Sequence, residues 1–242
     1  MHHLDARRTY ETSTSLSKKS RMTQWATNLV RAFIGYACLG AIAQMRAAPD
    51  HLAPIESDAD DRVYRQLLMS KLYVTPAEHG RFLILPSSLD GEVCIAIHSE
   101  NVRERLRYFV TTTKSASNLW SASRNGPYRR QPRYIAVGRA TSELEERTAA
   151  AIHTAVSKEL DRTRAIEPDG DNRVYVDGTE IDVFLKYRSH ERSGRLGPVM
   201  NGRHIEKLKK LVFRLEHFPE QPFHKQPQAE REIVELASAL TR

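Results

Sequence analysis

Cysteine is nearly missing from this chain of 242 residues: Cys38 and Cys94 are the only two, so a disulfide framework cannot be what holds the fold. Glycine and proline are sparse as well, 11 of each, which excludes collagen-like and low-complexity architectures. No apolar run reaches the roughly twenty residues that a helix needs to cross a bilayer core. Phosphate-cradling glycine loops are absent in both the Walker and the Gly-x-Gly-x-x-Gly forms, which leaves nucleotide chemistry unsupported. His79, His98, His153, His190, His204, His217 and His224 show no His-Glu-x-x-His arrangement, and Cys-x-x-Cys does not occur. Neither a metal nor another cofactor is therefore expected. Gly-x-Ser-x-Gly is missing too. Ser88 and His98 flank a turn-prone segment, but that segment reads first as a plain hairpin connection, so no residue is assigned a catalytic role.

What the chain does hold is a near-average globular composition, 40% apolar and 28% charged, long enough to bury a core without staples. The net charge of +7 suggests an acidic partner, yet residues 1–43 carry +4 of it and the remainder only +3. Nucleic acid is accordingly not expected as a partner. The uneven charge coincides with a distinctive start. Lys18, Lys19, Arg21 and Arg31 precede an uncharged apolar stretch, 32–43, that is too short to span, and Ala41-Ile42-Ala43 offers the small-x-small pattern of a signal peptidase site. Residues 1–43 read as a secretory signal with Met22 as the true start, placing the mature protein in the periplasm or outside the cell, with no stable membrane span after cleavage. An uncleaved inner-membrane anchor is the alternative.

Residues 44–61, with Pro54 and several acids, read as a flexible tail. One domain is expected over 62–218, then a proline-rich linker and C-terminal helix over 219–242. A first helix is predicted around Val63, Leu67 and Leu68, capped by Asp60 or Asp61. Strands are predicted over 81–87, 92–100 and 106–120, where β-branched and aromatic residues concentrate, and a fourth over 133–140. Ser142 and Glu145 form a capping box for an amphipathic helix running through Ile152 to Leu160. Asp177-Gly178 predicts a hairpin turn with Val174 opposite Ile181 and Arg173 opposite Asp182. Residues 188–198 read as a loop, and Ile205, Leu208, Leu211, Val212 and Leu215 mark a further helix. The order is not βαβ. It predicts an α+β fold, with a mostly antiparallel sheet of about five or six strands and helices packed on one face.

The segment to test first is "SASRNGPYRRQPRY", 121–134. Arg124, Arg129, Arg130 and Arg133 supply planar forks for carboxylate or phosphate, Tyr128 supplies an aromatic face, and Trp120 stands just ahead of them. The sequence thus points to an exported, non-catalytic protein that binds a protein or envelope polymer, in the manner of an inhibitor, immunity or adaptor protein. A periplasmic hydrolase with a dispersed active site is the competing reading. The oligomeric state is not legible.

Overall fold

In the computed structural model the chain is described over residues 50–55, 59–73, 75–87, 90–124, 134–165, 178–187, 190–198, 200 and 202–242. All of these fall in one unit, Ala48–Arg242. Its elements in chain order are α1 (Ala59–Leu72), β1 (Gly80–Leu85), β2 (Val93–Val102), β3 (Arg105–Ser115), α2 (Leu119–Arg124), β4 (Val137–Leu144), α3 (Glu146–Asp161), β5 (Glu180–Tyr187), β6 (His190–Leu196), α4 (Arg203–His217) and α5 (Gln226–Leu240). The fold is α+β, as the sequence predicts.

The strands form one six-stranded sheet in the order β4-β3-β2-β1-β5-β6, and every pairing is antiparallel. Strand alternation sorts side chains cleanly between its two faces. One face presents Phe82, Ile84, Val93, Ile95, Ile97, Val110, Ile181, Val183 and Leu185, which pack with Ile152 and Val156 of α3, Leu208 and Leu211 of α4, and Ile233 of α5. The opposite face presents Leu83, Cys94 and Phe184, which pack with Tyr64, Leu68 and Leu72 of α1 and with Leu119 of α2. Helices therefore cover both faces, the three long C-terminal ones on one side and α1 with α2 on the other. The expectation of a single covered face arose because β1, β2 and β5 look like half-buried strands when each is read alone. Their second faces are apolar as well.

Four further differences have physical causes. Residues 50–55, expected within a flexible tail, are docked: Leu52 is fully buried in the main core and Ala53 exchanges two backbone hydrogen bonds with Arg195. The helix expected beyond a linker, α5, is integral, since Ala229, Ile233, Ala237 and Leu240 are core residues. The stretch expected as a loop over 188–198 contains β6, whose Leu196 lies opposite Ile181; its Arg and Ser content suits an edge strand. Ser142 belongs to β4 and α3 starts at Glu146 without a side-chain cap, so the capping box does not form. Its place is taken across the fold by Glu230, whose carboxylate accepts the Glu145 N–H at 2.6 Å. α1 begins at Ala59, ahead of both aspartates expected to cap it. The hairpin expected at Asp177-Gly178 does not form: β5 lies between β1 and β6, so Ile181 stands opposite Ile84 and Leu196 and Asp182 opposite Leu83 and Arg195, leaving no edge for a strand carrying Val174 and Arg173, which themselves lie outside the described residues.

Candidate functional site

The basic segment is flanked in sequence by α2 and by Tyr134, and residues 125–133 lie outside the described residues. Both ends are built firmly. Glu92, fully buried just before β2, accepts from the Tyr64 hydroxyl at 2.7 Å, the Ser115 hydroxyl at 2.9 Å, the Leu119 N–H at 2.9 Å and the Trp120 N–H at 3.2 Å. A single carboxylate thereby satisfies orphan amides at the start of α2 and ties that helix to α1 and β3. Asn118 completes the cap: its side-chain oxygen accepts the Ser121 N–H at 2.8 Å, and its amide donates to the Asp90 carbonyl at 3.3 Å. Gly91 is obligatory beside this hub, since a Cβ there would stand 1.8 Å from the Ser115 carbonyl oxygen. On the return side, Ile135 is buried in the α1–α2 cluster and the Ala116 N–H donates to the Ala136 carbonyl at 2.9 Å.

Trp120 sits on α2, half-buried, with its ring edge-on to Tyr64 at 4.9 Å between centroids, so it packs within the base of the loop. Arg124 ends α2. Tyr128, Arg129, Arg130 and Arg133 lie outside the described residues, as does Ser88. His98 lies away from the connection between β1 and β2: that connection meets β2 at Val93, five residues and roughly 16 Å of strand from His98.

His98 is instead the centre of a polar line that the sequence reading did not assemble. Its Nδ1 lies 3.4 Å from Glu100 Oε1, its Nε2 lies 3.1 Å from Thr111 Oγ1, and Thr111 Oγ1 lies 2.9 Å from Thr141 Oγ1. The line runs across β2, β3 and β4 on the face that also bears Cys94. His98 and Thr111 are buried, whereas Glu100 and Thr141 reach solvent. Burial holds the imidazole below its ordinary 6.5, against the opposing pull of Glu100 and Glu78. The legible signal was His98-Ser99-Glu100, because residues two apart on a strand share a face. Its Thr111 and Thr141 members needed the register.

Elsewhere, Asp182 is fully buried and held by Arg65 at 3.0 Å and by Arg195 at 2.6 and 3.0 Å, an α1-to-sheet clamp. Cys94 is a buried thiol pushed up to about 12 by desolvation, which makes it a packing residue and a poor nucleophile. Among the described residues no group of three or more His, Cys, Asp or Glu is placed to hold a metal ion, and no helix is long and apolar enough to cross a membrane.

Comparison with protein families, with curated proteins and with solved structures finds no match to this chain.

Proposed function

We propose that this is an exported protein of the bacterial envelope that binds a carboxylate- or phosphate-bearing macromolecule, a protein or an envelope polymer, through the basic segment between Arg124 and Tyr134. The observation that carries this reading is the Glu92 hub. A buried carboxylate with donors from a tyrosine, a serine and two backbone amides fixes α2, the element that directly precedes the arginine-bearing segment in sequence. A recognition loop gains affinity when its base is already ordered before binding. Export is supported by the uncharged stretch 32–43 between basic residues and Ala41-Ile42-Ala43.

Affinity isolation of the tagged protein from an envelope fraction tests the binding reading. It is expected to recover one stoichiometric partner that the Arg124, Arg129, Arg130 and Arg133 quadruple alanine variant no longer retains. Undiminished affinity in that variant would remove the loop from the interface. Mass spectrometry of the mature N-terminus tests export: an intact Met1 or Met22 on a cytosolic protein ends it.

A second reading, an envelope hydrolase, is favoured by the Glu100–His98–Thr111–Thr141 line. There a neutral imidazole could draw a proton from an exposed threonine hydroxyl through a second hydroxyl. Hydrolysis of an ester reporter that His98→Gln abolishes would support it; equal rates in both proteins would dispose of it.

A further inference from the structure

We infer that β4 is a self-pairing edge through which two copies of this chain join their sheets about a twofold axis at Thr141. β4 closes one side of the sheet, and among the described residues only β3 pairs with it. Its Gly138, Arg139, Thr141 and Glu143 are exposed. A terminal strand presents unpaired backbone groups, the usual template for a further strand. Its sequence, Val-Gly-Arg-Ala-Thr-Ser-Glu-Leu, is self-complementary when read against itself in the opposite direction. With Thr141 opposite Thr141 of the second copy, Arg139 faces Glu143 of the second copy, and Glu143 faces its Arg139. Both charges of the strand are thus used at once, on the same sheet face. Residues directly opposite on antiparallel strands are in contact range, and opposite charges there favour the pairing. Such isologous contacts are the commonest route to a homodimer.

The charges on hand leave room for this. Arg139 has no partner among the described residues. Glu143 gives one oxygen, Oε2, to Arg107 at 3.1 Å, and its other oxygen remains for Arg139 of the second copy. A second observation lies on the other face of the same edge. Gln226 donates to the Ser142 hydroxyl at 2.8 Å and so holds the preceding 3₁₀ turn, Phe223–Lys225, beside β4. Phe223 of that turn is 86% exposed, the most exposed large apolar residue described. An aromatic left in water at the rim of an open strand gains burial when a second copy continues the sheet.

Sedimentation equilibrium of the chain as the producing cell leaves it is expected to give twice the monomer mass at micromolar concentration. Arg139→Glu and Glu143→Arg, each alone, set like charges opposite one another and should weaken association about tenfold or more. The double reversal restores the complementarity and with it the dimer. Both positions are exposed, and unchanged circular dichroism of each variant shows that folding is intact. Thr141→Cys, in a chain with Cys38→Ser, should oxidise to a covalent dimer, since the same residue of each copy meets on the axis. A monomer throughout the concentration range overturns the inference. So does a dimer that neither single reversal weakens, one that the double reversal fails to restore, or one in which the thiols introduced by Thr141→Cys do not cross-link.

Discussion

At the level of single residues, buried carboxylates matter more here than any surface charge. Glu92 collects four donors in the dry region between α1, α2 and β3. Glu92→Ala strands those donors and is expected to lower the unfolding free energy by about 3 kcal/mol in urea titration, with Glu92→Gln losing less because it keeps an acceptor. The histidines set the response to acid. Burial holds His98, His79 and His204 below the ordinary 6.5, so the unfolded chain takes up protons that the fold resists. Their contribution is complete above 6.5 and is lost as pH falls through the lowered values. Glu159 has the opposite sign: burial raises its carboxyl above the ordinary 4.5, so its contribution is present below 4.5 and lost as pH climbs past the raised value. His98→Gln is therefore expected to show a smaller drop in urea midpoint than the parent between about pH 7 and pH 5.

At the level of elements, legibility followed amphipathic contrast. α3 and α4 were plain in the sequence because Ile152, Ala155 and Leu160, and likewise Ile205, Leu208, Leu211 and Leu215, recur at helical spacing and are all core residues. β6 was hidden because it lies at the rim of the sheet and, with the sequence HERSGRL, offers Leu196 as its one large apolar residue. The short α2 is divided in the sequence between the end of the 106–120 strand and the start of the basic segment, since what makes it a helix is Asn118 and a glutamate nearly thirty positions upstream. The polar line through His98 was half legible for the same reason: alternation places Glu100, but only register places Thr141. The β2–β3 turn shows a local cost. Arg103 and Glu104 both have positive φ, 51° and 64°, in a two-residue connection that favours Asn-Gly. Replacing the pair by Asn-Gly should raise stability by about 1 kcal/mol in thermal or urea unfolding.

For the whole molecule, the core draws on both ends of the described chain. Leu52 from the first described segment and Leu240 from the last turn of α5 belong to one cluster. Leu52→Ala should cost about 2–5 kcal/mol, measured by urea unfolding, because the site lies between β6 and the C-terminus of α3 and cannot collapse. The same closure appears at α4, which has no side-chain cap of its own and borrows the Asp50 carboxylate for the His204 and Ile205 N–H groups at 2.7 and 3.1 Å. Asp50 is synthesised more than 150 positions earlier than the amides it serves. The cap of α4 therefore cannot close until the chain has been made through Ile205, a delay that suits the threading through a narrow translocation channel which the proposed export entails.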